Sequence, residues 1–170
     1  MVDFLKAHFL DCSAIVKLLL YPDIVEDGSK TLFEYRQRNC LFYTNRLCLS
    51  EAFMVLKQKH FASKSKKVLS LDGYLIVINR LKSMLEHETL RITGFDSLAN
   101  NNLERAYTIV KRYKIDLFDA LQIVEVKYGE DSSFTNESQT ILITADTDLA
   151  KAARSEGVKV WNCIDEQSPI

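Results

Sequence analysis

The chain has 170 residues, of which 47% are hydrophobic and 26% are charged, with only 5 glycines and 2 prolines. This composition excludes a disordered, collagen-like or linker-rich repeat protein, and the length predicts one globular domain over residues 1–170. The formal net charge of −1 does not by itself favour a polyanionic partner such as a nucleic acid.

Short apolar runs alternate with helical patterns along the chain. Apolar residues at helical spacing, bounded by Ser, Asp, Gly or Pro, predict the helices, and short apolar runs predict the strands. In chain order the predicted elements are a strand over residues 7–10, helices over 13–20 and about 29–37, a strand over 40–43, helices over about 46–61 and 66–88, a strand over 90–93, helices up to 113 and over 119–128, a strand over 140–144, a helix over 147–155 and a strand over 158–161.

Strands that alternate with helices predict an α/β fold, with a parallel sheet of about five strands flanked by helices. The two long helices over residues 46–88 form a helical elaboration of that fold. Apolar and aromatic residues recur near one face of each helix: Leu49, Phe53, Leu56 and His60 in the first, and Leu69, Leu75, Ile78, Leu81 and Leu85 in the second. The polar stretch over residues 129–139 has no apolar rhythm and is predicted to be a loop.

Charge is distributed unevenly. Between Lys30 and Lys67 there are nine basic and two acidic residues, whereas between Asp116 and Ala150 there are eight acidic residues and one lysine. Such asymmetry indicates a polyanionic partner, an acidic site or both. Two solvated surfaces of different charge would give the same pattern, so both interpretations stay open here.

The four cysteines show neither a metal-binding nor a redox spacing, because no C-x-x-C motif occurs. The amino terminus lacks the pattern of a secretory signal, and no apolar run is long enough to span a membrane. These features predict a cytoplasmic protein with no membrane partner.

Four acidic residues stand where an α/β fold would carry a site. Asp11 and Asp146 follow two predicted strands closely, and sites in open parallel sheets lie beyond the carboxyl ends of the strands. Glu51 and Asp119 lie near helix starts within apolar runs, where an unpaired carboxylate would be costly. Taken singly, each acid also suits the start of a helix, where it accepts from free backbone N–H groups.

Several carboxylates in one site repel each other unless a proton or a cation neutralises them. Hard divalent ions such as Mg²⁺ prefer oxygen ligands and bind through one or two carboxylates together with water and phosphate. A site of this kind activates water and stabilises the charge that develops on a phosphodiester. The acids therefore point to metal-assisted phosphodiester hydrolysis.

Four short motifs occur in order along the chain: Asp11-x-Ser13-x-x-x-Lys17, Ser50-Glu51, Asp119-Ala120-Leu121 and Thr144-x-Asp146-x-Asp148-Leu149. In this order, and on these predicted elements, they resemble the motifs of the PIN-domain family, most closely its VapC-type ribonuclease toxins. The resemblance spans nearly the whole chain. It implies a single PIN-like (RNase H-like) domain and a Mg²⁺- or Mn²⁺-dependent endoribonuclease.

The resemblance implies a catalytic quartet of Asp11, Glu51, Asp119 and Asp146. Asp11 and Asp119 would bind the metal directly, and Asp146 and Glu51 would complete the metal site directly or through water. The family also implies an RNA substrate, an antitoxin protein that masks the site in toxin members, and a homodimer.

Further residues match supporting positions of the family. Ser13 and Thr144 match small hydroxyl residues that orient the acids or a bound water, and Lys17 matches a lysine that would contact a phosphate or an acid. Asp148 is either a supporting acid or a charge in the first turn of a helix, and Asp116 is predicted to cap a helix.

A basic stretch in the helical elaboration is the candidate track for an RNA backbone, with affinity that falls as salt rises. The stretch runs from Lys57 to Lys67 and is joined by arginines that precede it; its basic residues are Arg36, Arg38, Arg46, Lys57, Lys59, Lys64, Lys66 and Lys67. A solvated corner between two helices would have the same composition, and this interpretation also stays open.

Two other α/β carboxylate sites are excluded. A haloacid-dehalogenase-type phosphatase requires a second acid two residues after Asp11, where Ser13 stands, and would lose its general acid. A response-regulator receiver requires paired acids after the first strand, and they are absent. The alternative that stays open is a PIN module with weak or no catalysis, which acts as an interaction subunit for protein or RNA.

Overall fold

The computed structural model describes residues 6–36, 40–61, 68–129 and 140–169, and these ranges contain five strands and seven helices. In chain order they are β1 (Lys6–Leu10), α1 (Cys12–Leu20), α2 (Ser29–Arg36), β2 (Cys40–Thr44), α3 (Arg46–Phe61), α4 (Leu71–Glu86), β3 (Leu90–Ile92), α5 (Asn100–Tyr113), α6 (Leu117–Tyr128), β4 (Ile141–Thr144), α7 (Thr147–Ser155) and β5 (Lys159–Asn162). Every predicted strand is present, and the predicted alternation with helices is confirmed.

The five strands form one parallel sheet in the order β3-β2-β1-β4-β5. β1 is the central strand, with Phe9 paired with Tyr43 of β2 and Leu10 paired with Ile143 of β4. The chain first builds outward from β1 through β2 to β3 and then crosses back to β4. The carboxyl ends of β1 and β4 therefore flank the switch point of the sheet, where open α/β folds bind their ligands.

Two groups of helices cover the sheet. α1 packs against α2, α3 and α4, and α6 packs against α5 and α7. Right-handed crossovers that run in opposite directions along the sheet from β1 separate the helices into these two groups. Side chains that are almost completely buried, such as Phe9, Phe42 and Trp161, fill the core between the helices and the sheet. In the described ranges, no helix combines the length and apolar character needed to cross a bilayer.

Asp side chains begin three of the helices. The Asp11 carboxylate accepts from Ala14 N at the start of α1, and the Asp116 carboxylate accepts from Asp119 N at the start of α6, as predicted. Asp146 does the same for α7. Each cap satisfies backbone N–H groups that the first turn of a helix leaves without a partner.

The helical elaboration differs from the prediction in two respects. α4 begins at Leu71 rather than near Lys66, because the Ser70 hydroxyl accepts from Gly73 N and caps the helix there. Phe53 and Leu75 are exposed, since the buried lines of α3 and α4 pass through other residues on each helix. Residues 62–67 and 130–139, which include Lys64, Lys66, Lys67 and nearly all of the predicted polar loop, lie outside the described residues.

Asn45 joins β2, α3 and α6, so its replacement by alanine is expected to lower the free energy of unfolding by about 2–4 kcal/mol. The buried side chain accepts from Cys48 N at 2.7 Å, which caps α3, and donates to Glu125 Oε2 at 2.6 Å. Urea denaturation measures the loss. Ser70→Ala, which removes the exposed cap of α4, is the control and should cost only about 1 kcal/mol; equal losses would contradict the role of Asn45 in linking three elements.

Candidate functional site

A cleft of about 430 Å³ opens at the switch point of the sheet, and all four acids predicted from the sequence line it. Asp11 follows β1, Asp146 follows β4, Glu51 lies on α3 and Asp119 lies on α6. The four residues come from four separate segments of the chain. Their convergence, which no local pattern requires, is what distinguishes this cleft from a set of unrelated helix caps.

Asp11 is buried and is held by three neighbours. Ser13 Oγ lies 2.9 Å from both carboxylate oxygens, Ala14 N donates to Oδ1 at 2.7 Å, and Thr144 Oγ1 donates to Oδ2 at 2.6 Å. The two hydroxyl groups also accept from the backbone of the β4–α7 turn, Ser13 from Ala145 N and Thr144 from Asp146 N, each at 2.8 Å. Both predicted hydroxyl residues therefore lie where they orient Asp11.

The electrostatics of Asp11 reflect its depth. Burial raises its pKa from the usual 3.8 to about 6, against the opposing effect of the hydrogen bonds from Thr144, Ala14 and Ser13. The negative charge of Asp146 adds to the rise. Asp11 is thus a carboxylate that a nearby cation would stabilise.

The pKa of Asp119 is raised further than that of Asp11. The residue is half-buried, and burial, followed by the charges of Asp116, Asp146, Asp11 and Glu51, raises its pKa to about 7. Its backbone N–H donates to the capping Asp116, whereas its carboxylate has no hydrogen bond among the described residues and is not needed to build the helix end. Asp119 is therefore the acid of the quartet with the least evident structural role.

Glu51 lies at the solvent side of the cleft. Although Glu51 stands in an apolar run of the sequence, the residue is exposed, because the buried face of α3 runs through Cys48, Leu49, Ala52 and Leu56. Partial shielding by the cleft wall and the charge of Asp116 nevertheless raise its pKa, and a hydrogen bond with the Cys12 thiol opposes the rise.

Asp146 and Asp148 differ although they are two residues apart. Asp146 lines the cleft, and its Oδ1 accepts from Asp148 N at 2.7 Å and Leu149 N at 2.9 Å. Asp148 is exposed, does not line the cleft and pairs with Lys151 at 3.5 Å. Of the two interpretations of Asp148, the structure favours the charge in the first turn of a helix.

Two lining residues, Glu26 and Gln122, carry chemistry that the sequence did not indicate, and a third, Lys59, comes from the predicted basic stretch. Glu26 and Lys59 line the cleft together with the predicted Lys17, and Glu26 pairs with both lysines. Gln122 of α6 lines it too, and its buried Oε1 atom has no hydrogen-bond partner among the described residues. The only sequence signal for Gln122 is a polar residue one helical turn after Asp119, within an apolar run.

The predicted basic track is only partly described. Arg46 and Lys57 are exposed on α3, and neither lines the acidic cleft. Arg46 instead borders a second cleft of about 300 Å³ beyond the ends of β2 and β3. The track stays a prediction, because Lys64, Lys66 and Lys67 lie outside the described residues.

The lining residues suit a hard divalent cation. In the part of the chain that the structure describes, no three His, Cys, Asp or Glu side chains are grouped closely enough to surround a metal ion. Mg²⁺, however, commonly binds through one or two carboxylates and several waters. Four carboxylates and the Gln122 Oε1 atom, which has no hydrogen-bond partner among the described residues, provide oxygen ligands in one cleft. The raised pKa values of Asp11 and Asp119 follow first from burial and then from neighbouring negative charge, and a bound cation would oppose both effects.

Comparison with known proteins bears on the fold. No protein-family model matches the chain, and no curated protein matches it. Among solved structures the chain is similar to the crystal structure of PAE2754 from Pyrobaculum aerophilum, with a TM-score of 0.51 and 13% sequence identity over 94% of this chain and 92% of that chain. At this level of identity the similarity supports the α/β fold along nearly the full length of the chain.

Proposed function

We propose that the chain is a PIN-like endoribonuclease that depends on a divalent metal ion, Mg²⁺ or Mn²⁺. The observation that carries the proposal is the meeting of four carboxylates, from four separate segments, in one cleft at the switch point of a parallel sheet. The cleft offers carboxylate and amide oxygens, which are the ligands that hard divalent cations prefer.

In this proposal Asp11 and Asp119 hold the cation, and Asp146 and Glu51 complete its surroundings. When bound, the ion supplies Lewis-acid polarisation of a phosphodiester oxygen and a water molecule with a lowered pKa. Ser13 and Thr144 keep the Asp11 carboxylate in one orientation through their hydrogen bonds. The exposed position of Glu51 leaves its carboxylate accessible to a substrate strand entering from solvent.

The resemblance to VapC-type toxins adds an antitoxin partner, a homodimer and a cytoplasmic location as predictions. The buried cysteines Cys12, Cys48 and Cys163 are unpaired, which is consistent with a reducing compartment. Arg46, Lys57, Lys64, Lys66 and Lys67 would hold the RNA backbone, with an affinity that falls as salt rises.

Cleavage assays test the proposal. Wild-type protein is expected to cut single-stranded or loop RNA in Mg²⁺ or Mn²⁺, to lose this activity in EDTA, and to lose it on Asp11→Asn substitution. Asp148→Asn is the matched control, because Asp148 is an acid near the same sheet edge that lies outside the cleft. Cleavage that survives both EDTA and Asp11→Asn would refute the proposal. RNA binding without cleavage under any condition would instead support the interaction module.

A further inference from the structure

One part of the acidic cleft is lined by two lysine side chains. Lys17 of α1 and Lys59 of α3 both line it, and they share a single counter-ion, Glu26, from the segment between α1 and α2. Lys59 Nζ lies 2.8 Å from Glu26 Oε1, and Lys17 Nζ lies 3.4 Å from Glu26 Oε2. Each oxygen of one carboxylate thus pairs with a different lysine, and these three residues are called the lysine bridge below.

The lysine bridge has an excess of positive charge. Two ammonium groups share one carboxylate, so the group carries +1, and the pKa of Glu26 is lowered because the two lysines outweigh the effect of its partial burial. Each ammonium group has three N–H donors. Among the residues that the structure describes, neither ammonium group has a hydrogen-bond partner other than Glu26, so donors remain for a ligand.

The two lysines of the bridge are more shielded from solvent than the paired lysines elsewhere in the described residues. The Lys17 side chain is 11% exposed and the Lys59 side chain 25% exposed, whereas the lysine of a surface pair such as Lys82–Glu86 is 68% exposed. Burying a charge is costly unless it is paired. Glu26 is the direct ion-pair partner of both lysines, and among the described residues no other carboxylate pairs with either, so an anion that enters the cleft can pair with the second lysine. A phosphate group fits this requirement, because lysine binds phosphate as a point charge.

We infer that the lysine bridge binds a backbone phosphate of a single-stranded RNA, next to the phosphate that is cleaved. This inference rests on the proposed function for the identity of the ligand. The acids of the cleft hold the cation, and the lysine bridge lies in the same cleft, so a strand in the cleft can place one phosphate at the acids and a neighbouring phosphate at the lysines. Glu26 keeps the two ammonium groups in the cleft wall and competes with the phosphate for them.

Because Glu26 competes with the phosphate for the lysines, substitutions of Lys59 and of Glu26 are expected to change RNA affinity in opposite directions. Lys59→Met removes a phosphate contact and is expected to lower RNA affinity about three- to tenfold, with a salt dependence of log K that is shallower by about 0.7. Glu26→Gln removes the competing charge and is expected to raise RNA affinity by a similar factor. A bridge that only ties α1 to α3 predicts no such opposition, because both substitutions would then loosen the same link.

Affinity is measured by fluorescence anisotropy with a short labelled single-stranded RNA, over a series of KCl concentrations in EDTA. All variants are made in an Asp119→Asn background, which prevents cleavage and reduces the negative charge of the cleft. Lys82→Met and Glu86→Gln are the controls, because they make the same changes in net charge at an exposed ion pair on α4. Lys59→Arg, which retains the charge, should restore most of the affinity. Thermal melts of every variant verify folding.

Opposite shifts for Lys59→Met and Glu26→Gln, with unchanged controls, support the inference. Shifts of the same sign in folded proteins, or shifts no larger than those of the controls, overturn it. The RNA is used both with a 5′-hydroxyl and with a 5′-phosphate; opposite shifts confined to the phosphorylated RNA would overturn the backbone assignment in favour of a terminal phosphate. Because binding is measured without cleavage, failure here leaves the cleavage assay of the proposed function unaffected, and the reverse also holds.

Discussion

Replacing Asp119 by asparagine is expected to lower RNA cleavage by about 10³-fold and, at the same time, to raise the stability of the metal-free protein. The loss of activity follows from the proposed metal site, since a bound cation supplies several kcal/mol of transition-state stabilisation and about 1.4 kcal/mol corresponds to a tenfold change in rate. The gain in stability follows from the charge of Asp119, which burial and four neighbouring carboxylates disfavour.

The stability effect has a definite pH dependence. The pKa of Asp119 is about 7 in the folded protein and about 3.8 in an unfolded chain, so between these values the folded state binds a proton that the unfolded state lacks. The contribution of Asp119 to the free energy of unfolding of the wild-type protein therefore falls as pH rises from about 4 to about 7. The Asp119→Asn protein is not subject to this loss. The advantage of the variant should grow from pH 5 to pH 8 and reach about 1–3 kcal/mol, allowing for the partial exposure of the side chain.

Urea denaturation at pH 5 and pH 8, together with a cleavage assay in Mg²⁺, checks both halves of this prediction. Asp148→Asn is the control, because Asp148 is exposed and outside the cleft, and it should change neither quantity appreciably. An Asp119→Asn protein that cleaves RNA at the wild-type rate would remove Asp119 from the proposed site. A variant less stable than wild type at pH 8 would show that the carboxylate has a structural role.

Divalent cations are expected to stabilise the wild-type protein at pH 8 and to lose this effect below about pH 6. A ligand that binds only the folded state at a hundred times its dissociation constant adds about 2.7 kcal/mol to the free energy of unfolding. Asp11, with a pKa of about 6, and Asp119, with a pKa of about 7, must both release a proton to bind the ion. When two protons are displaced, the apparent affinity falls by up to about a hundredfold per pH unit.

Thermal melts with Mn²⁺, Mg²⁺ or EDTA from pH 5 to pH 8 measure this effect, and titration calorimetry with Mn²⁺ gives the apparent affinity at each pH. Asp11→Asn should abolish most of the stabilisation, and Asp148→Asn should preserve it. Stabilisation that is independent of pH, or equal in the Asp11→Asn protein, would indicate general screening by cations rather than a site in the cleft.

The elements of the fold were predictable because the signals for them are local. The apolar run before Asp11 and the stretch before Asp146 marked two strands, and Asp116 marked the start of a helix, as the structure confirms. The errors concern which side of a helix is buried, not whether the helix forms. Phe53 and Leu75 have the spacing of a buried helix face but are exposed. Spacing identifies a helix, but which of its faces is buried depends on neighbouring elements that are distant in the sequence.

Some residues of the candidate site could likewise be predicted from the sequence, and others could not. Asp11 and Asp146 could be predicted because they follow strands of a parallel sheet, whose carboxyl ends share one edge. Glu26 and Gln122 could not, because nothing in their immediate surroundings differs from an ordinary turn or helix. Lys59 belongs to the predicted basic stretch, but its place in the acidic cleft could not be predicted. The apolar run around Glu51 does not bury it, because neighbours along a helix point in different directions.

The sequence by itself therefore determined the order of strands and helices, the helix caps and the acids at the strand ends, because hydrophobic periodicity and capping act over a few residues. Only the tertiary structure decided the strand order β3-β2-β1-β4-β5, the meeting of four carboxylates in one cleft and the sharing of Glu26 by Lys17 and Lys59. The raised pKa values of Asp11 and Asp119 belong to this second group as well. Burial and charge proximity exist only once segments that are far apart in the chain have packed together.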